Sequence, residues 1–244
     1  MSNSIKLENI SLNFPKNTGL ISGLKYMLSK GNSDNRSNYN IINNLSLDVK
    51  QGEVLGIIGR NGCGKSTLLR IMAGIYQPDE GVALVNGRTA LLAGVRVGLN
   101  ENLTGRENVH LYGSILGHKS DTIDAMMDDI LDFSEIGEYF EQPLRTYSSG
   151  MRARLGIAIA SAIEPEILLI DEVLGVGDPQ FREKSKQRIL SLVKSTSTVV
   201  LVSHSFGLMR EICDRVAFID EGEVIFVGDP TKSIRKYFEL TGKN

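Results

Sequence analysis

Apolar positions along the chain follow two periods, and the switches between them lay out the elements. Ile5, Leu7, Ile10, Leu12 and Phe14 alternate loosely with polar residues, which predicts an edge strand over 5–14. Residues 41–49 predict a second strand and 53–58 a third, buried one, with a helix over 66–73 directly after it. Short strands follow the turn at 77–81 and run to Leu92. The period then changes. Val109, Tyr112 and Leu116 mark a helix face over 106–116, and Ile123, Met126, Met127, Ile130 and Leu131 mark another over 121–133. A third helix runs from about Met151 to Ile163. This block of helices interrupts a strand–helix chain and predicts an inserted helical subdomain. The strand–helix pattern resumes with 167–170 and 198–202, uninterrupted apolar runs of the kind found in central parallel strands, with a helix over 181–194 between them. A hairpin turning at Asp220-Glu221-Gly222 and a terminal helix over 231–240 complete the order. One interval fits neither period. Residues 15–40 are polar and rich in Ser, Asn and Gly, apart from an apolar stretch over 20–28 long enough for a short helix. A loop of that length is either functional or disordered.

Between the third strand and the helix after it stands Gly59-Arg60-Asn61-Gly62-Cys63-Gly64-Lys65-Ser66-Thr67, which fits G-x-x-x-x-G-K-[ST], the phosphate-binding loop of nucleoside-triphosphatases. Glycines at 59, 62 and 64 let the backbone curl so that successive N–H groups face one anion. The helix that begins near Lys65 brings the positive end of its dipole to the same place. Lys65 is then placed for the β- and γ-phosphates, and the Ser66 hydroxyl for Mg²⁺.

Two further strands end in polar tips. Four apolar residues run into Asp171 and Glu172. A carboxylate at the C-terminal end of a central strand lies where α/β proteins bind ligands, so Asp171 is expected beside the phosphate loop, holding Mg²⁺ through its water shell. Glu172 is placed to take a proton from an attacking water. The run 199–202 leads into Ser203 and His204, and a neutral imidazole there could hydrogen-bond the γ-phosphate or that water. Tyr147-Ser148-Ser149-Gly150-Met151 precedes the third helix of the helical block, with Ser148 or Ser149 as its N-cap. By local physics this is an ordinary cap, with hydroxyls and a helix N-terminus that could also form a second anion site.

Composition narrows the class of protein. The 244 residues carry a formal net charge of -2, against the basic balance usual in a non-specific nucleic-acid binder. No apolar run approaches eighteen residues and the N-terminus has no apolar core like that of a signal peptide. Only two cysteines occur, Cys63 and Cys213, in keeping with a reducing compartment. The expectation is a soluble cytoplasmic protein that does not bind nucleic acid.

Taken together, these motifs resemble the ATPase subunit of ABC transporters along essentially the whole chain. The resemblance implies a P-loop NTPase (RecA-like) α/β core with a parallel sheet, an antiparallel β subdomain and the inserted helical subdomain. The core would comprise about 1–92 and 165–244, and the helical subdomain about 93–164. It makes 59–67 the Walker A loop, 167–171 Walker B with Glu172 as catalytic base, His204 the H-loop histidine and Asp178 the D-loop acid. Tyr147 to Met151, here YSSGM, takes the place of the LSGGQ signature. The implied cofactors are ATP and Mg²⁺. The implied assembly is a head-to-tail dimer with a second copy, each ATP lying between one copy's phosphate loop and its partner's signature. Phe14, at the end of the first strand, and Tyr39, just past the long interval, are the two aromatics available to stack on adenine, with Phe14 slightly preferred. The family's Q-loop glutamine has no counterpart, since 92–103 holds no glutamine.

YSSGM, the stretch Asn102-Leu103-Thr104-Gly105-Arg106-Glu107-Asn108-Val109 and the run 171–178 resemble, within that family, the ATPases that export bacterial surface polysaccharides. This implies integral membrane permease subunits and a lipid-linked polysaccharide such as O-antigen as partners, at the cytoplasmic face of the inner membrane. The chain ends at Asn244 without the added C-terminal carbohydrate-binding domain of some O-antigen members, so glycan recognition is expected in the permease. ABC ATPases that clamp nucleic acid or ribosomes, or that export another cargo, are the competing readings. The former usually carry two cassettes or coiled-coil arms, and this sequence has neither.

Overall fold

A computed structural model describes residues 2–15, 38–93, 99–162, 165–171, 179–195 and 198–242. The apolar runs 54–59, 167–171 and 198–202 become neighbouring parallel strands because alternate residues of each can be buried on opposite faces. The strands are β1 (Asn3–Pro15), β2 (Asn38–Lys50), β3 (Val54–Gly59), β4 (Glu80–Val85), β5 (Thr89–Ala93), β6 (Ile167–Asp171), β7 (Thr198–Val202), β8 (Arg215–Asp220) and β9 (Glu223–Gly228). The helices are α1 (Lys65–Met72), α2 (Gly105–Ile115), α3 (Ser120–Ser134), α4 (Ser149–Ala162), α5 (Pro179–Ser195), α6 (Phe206–Ile212) and α7 (Pro230–Thr241).

A six-stranded sheet has the order β5-β6-β7-β3-β8-β9, parallel except for the β8–β9 hairpin. Leu55, Ile57, Leu169, Val200, Val202, Ala217 and Ile219 face one side of it. There they meet α1 and a three-stranded antiparallel sheet of order β2-β1-β4. Ile58, Leu168, Ile170, Val199, Leu201, Val216 and Phe218 face the other side, which the helices from α2 to α7 help to cover. Gly56 belongs to this second face: a Cβ there would stand 2.6 Å from Met209 Sδ and 2.9 Å from Val216 Cγ2, so only a glycine lets α6 lie against the sheet.

Most predicted elements form within a residue or two of their expected ends, and the differences are physical. β1 is not an edge strand. It pairs with β2 on one side and β4 on the other. Its alternation is loose because Asn9 takes a φ of 51° and the register slips between Leu7 and Ile10. β2 starts at Asn38, three residues before its apolar run, paired with Pro15. The short α6 and two 3-10 turns, Gly137–Glu141 and Leu144–Thr146, join the expected elements. The helix expected over 20–28 lies outside the described residues.

Candidate phosphate site

The phosphate loop forms at the C-terminal end of β3, where its glycines have no substitutes. A Cβ on Gly59 would stand 2.2 Å from the Ile219 carbonyl oxygen, and one on Gly64 would stand 2.7 Å from that of Ile41. Gly62 and Gly64 also take φ values of 82° and 103°, in the left-handed region. Gly64 caps α1 without any side-chain hydrogen bond, and no acidic residue occupies the first turn. The leading N–H groups of α1 are thus left to a ligand. Lys65 is almost fully buried, and its Nζ donates to the carbonyls of Gly59 at 2.9 Å and Arg60 at 2.8 Å. The ammonium is therefore held over the mouth of its own loop. Asn61 and Gly62 are exposed, while Ser66 and Thr67 are half-buried. Cys63 is buried against Gly59; burial pushes its thiol pKa up, and the nearby Lys65 charge only partly opposes this. The thiol is a filler of the loop rather than a nucleophile.

Asp171 and His204 reach the same edge of the sheet by strand register. Val202 pairs with Ile57 on one side and Asp171 on the other. Gly59 and His204 each lie two residues beyond that row. Asp171 reaches this edge from one strand further out, since β7 lies between β6 and β3. At the usual strand spacing it is about 10 Å from β3 across the sheet. His204 is exposed, in a turn where the Ser205 N–H donates to Ser203 Oγ at 3.0 Å. Glu172 and Asp178 lie outside the described residues. Among the described residues no group of three or more His, Cys, Asp or Glu could hold a metal by itself. The Ser66 hydroxyl and the Asp171 carboxylate are hard oxygen donors of the kind that suits Mg²⁺, the first as a direct ligand and the second through a metal-bound water.

Phe14 and Tyr39 pair directly across β1 and β2. The Phe14 ring is half-buried and meets Tyr76 edge-on at 5.6 Å, a partner the sequence reading missed. Tyr39 is 57% exposed.

At the second anion site the structure chooses Ser148 as the N-cap: its Oγ accepts from the Met151 N–H at 3.2 Å, and Ser149 is already helical. Ser148 and Ser149 are exposed, and a Cβ at Gly150 would meet nothing nearer than 3.8 Å. Tyr147 differs from its neighbours. It is buried, its hydroxyl donates to the Tyr139 carbonyl at 2.6 Å, and burial pushes its pKa up to about 12. Met151 packs against the main core.

Residues 42–175 match the family model described as ABC transporter. The chain belongs to the ABC transporter family. An O-antigen export system ATP-binding protein, RfbB of Klebsiella pneumoniae, is 37% identical over 242 residues, 96% of each chain. RfbB of Myxococcus xanthus is 41% identical over 88% of this chain and 49% of its own. The teichoic acids export ATP-binding protein TagH of Enterococcus faecalis is 45% identical over 79% of this chain and 43% of its own. This ABC chain thus spans about half the length of those last two relatives. Among solved structures, an ATP-binding subunit of an ABC transporter superposes with a TM-score of 0.74 at 21% identity, over 98% of this chain and 95% of that one. A dimeric ATP-binding cassette in a post-hydrolysis state with ADP and Pi gives 0.69 at 23% identity, over 93% and 98%. At those identities the likeness establishes the fold, an ABC ATPase domain with a P-loop α/β core.

Proposed function

We propose that this chain is the ATP-hydrolysing subunit of an ABC exporter that moves a lipid-linked surface polysaccharide, O-antigen above all, across the bacterial inner membrane. The observation that carries the cargo is the end-to-end match with the Klebsiella O-antigen export protein. The relatives named for teichoic acid export support the wider class of lipid-linked glycan. Residues 1–92 and 165–244 form the catalytic core in this reading, and 93–164 the helical subdomain.

On binding ATP, Lys65 exchanges the carbonyls of Gly59 and Arg60 for β- and γ-phosphate oxygens, while the first N–H groups of α1 take the remaining charge. Ser66 and Asp171 would hold Mg²⁺, which would supply neutralisation of phosphate charge. Glu172 accepts the proton of the attacking water, and His204 hydrogen-bonds that water or the γ-phosphate. Ser148, Ser149 and Gly150 of a second copy close the site from the far side, with Asp178 at the dimer interface. Two subunits then push on a separate permease from the cytoplasmic face of the membrane. No helix among the described residues is long and apolar enough to cross a membrane, so the subunit is read as peripheral. Nucleic acid has no part in this reading.

Co-purification of the tagged chain from membranes of its source tests the proposal. The expected result is a polytopic permease carrying a lipid-linked polysaccharide. A permease with a different cargo would remove the polysaccharide assignment, and ribosomes or DNA in place of a membrane protein would remove the exporter.

A further inference from the structure

Asn108 is an amide completely buried one turn into α2, in the interior of the protein where a polar side chain is costly unless fully bonded. It is fully bonded. Its Oδ1 accepts from the Asn100 N–H at 2.7 Å, and its Nδ2 lies within reach of the carbonyls of Asn100 (3.1 Å), Leu103 (3.2 Å) and Thr104 (2.8 Å). One side chain therefore closes the whole loop 100–104 by standing in for a backbone partner on both sides. Thr104 fixes the end of the same loop through a capping box with Glu107.

The other side of this loop holds the segment that leads into the signature residues. The Leu144 N–H donates to the Leu103 carbonyl and the Arg145 N–H to that of Glu101, both at 2.9 Å, and Thr104 forms an isolated bridge with Pro143. Arg152, one residue past Met151, clasps both pieces at once. Its Nε donates to the Leu144 carbonyl at 3.2 Å and its Nη1 to the Glu101 carboxylate at 3.0 Å. Tyr147 closes the arrangement by packing on Gly105, where a Cβ would come 2.6 Å from its hydroxyl. Buried side chains and backbone bonds thus meet the sequence immediately before and after Ser148, Ser149 and Gly150, of which the two serines stay exposed and the glycine half-buried.

We infer that Asn108 and Arg152 are positioning residues that fix the direction in which Ser148–Gly150 and the N-terminus of α4 face the nucleotide of a second copy. The inference rests on the proposed function, in which those residues act on a partner's ATP. Asn108 acts through the loop 100–104, and Arg152 through Glu101 and Leu144. Neither contacts the phosphate loop of its own chain. An error of about 1 Å in such a group is enough to lower a rate roughly 10²-fold.

The experiment compares the full chain with Asn108→Ala, Arg152→Ala, Arg152→Lys and Glu101→Gln. Three quantities are read: ATP binding at protein concentrations too low for dimers, ATP-driven dimerisation, and steady-state hydrolysis. We expect binding of ATP to the isolated subunit to stay within roughly twofold, because the phosphate loop is untouched. Dimerisation weakens, and kcat falls by roughly ten- to a hundredfold in the alanine variants. Arg152→Lys recovers part of the loss, since an ammonium can keep one of the two bonds. Glu101→Gln leaves every backbone bond in place and serves should the alanine variants fold poorly; it is expected to lower kcat without lowering the melting temperature. A merely structural role would lower melting temperature and activity together, and the inference is overturned by that pattern in Glu101→Gln. Folded variants that dimerise and turn over like the parent overturn it too. Failure of the unsubstituted chain to dimerise with ATP is a separate result, and it removes the proposed function itself.

Discussion

Gly64 carries two constraints at one atom. Its φ of 103° is open only to glycine at low cost, and a Cβ there would press on the Ile41 carbonyl of β2. Gly64→Ala is expected to destabilise the protein by about 1–3 kcal/mol in denaturant titrations and to weaken ATP binding with it, because relief of the contact moves the loop. The adenine assignment divides at the same scale. Phe14 is engaged with Tyr76, whereas Tyr39, directly opposite, keeps most of its surface exposed. Tyr39→Ala is therefore expected to raise the KM for ATP by roughly tenfold, in line with about 1–3 kcal/mol for an aromatic stacked on a base. Phe14→Ala is expected to act on stability first. Equilibrium binding of ATP to both variants checks this, and the reverse ranking would move the stacking role to Phe14. The sequence favours Phe14 slightly, as the aromatic that ends the first strand; the structure reverses the order through Tyr76, which the chain brings back from about sixty residues away.

Single elements show where local pattern is sufficient and where it is not. The capping box at Thr104 was within reach of the sequence as Thr104-x-x-Glu107, and the structure forms both of its bonds. Thr104→Ala is expected to cost about 0.5–2 kcal/mol, read as a shift in the urea midpoint. Asn108 lies in the same stretch, and its role depends on a loop that sequence spacing does not reveal. A visible signal was an amide on the inner face of an amphipathic helix, next to Val109. β1 is paired on both edges for a reason its sequence does not carry: alternation reports the two faces of a strand and says nothing about how many of its edges are paired. At the end of α3, Glu135 takes a φ of 53° and pairs with Lys184 of α5 and Arg154 of α4. The hydrogen bond with Lys184 holds its carboxyl below the usual range. A folded pKa lowered in this way gives stability that is present above the ordinary glutamate value of about 4.3 and is lost as pH falls through the folded value. Urea midpoints of the parent and Glu135→Gln should therefore converge as pH drops below about 4, and a constant gap would remove the ion pairs as its source.

Across the whole molecule, the phosphate loop and the Ser148–Gly150 segment occupy separate parts of one chain, at the end of β3 and at the start of α4. Sequence spacing could not say whether they serve one nucleotide or two. The head-to-tail reading makes a prediction that no single-subunit site can mimic. Lys65→Ala and Gly150→Asp should each abolish hydrolysis as homodimers, since every site then lacks one of its halves. Mixed together, they form dimers in which one site has both lesions and the other has an intact loop from the Gly150→Asp subunit and an intact signature from the Lys65→Ala subunit. With random pairing, half of the dimers are mixed and each has one sound site of two. Activity should therefore return to at most roughly a quarter of that of the parent. It should depend on total protein concentration as dimer formation does. If ATP were held entirely within one chain, the mixture would remain as inactive as its parts.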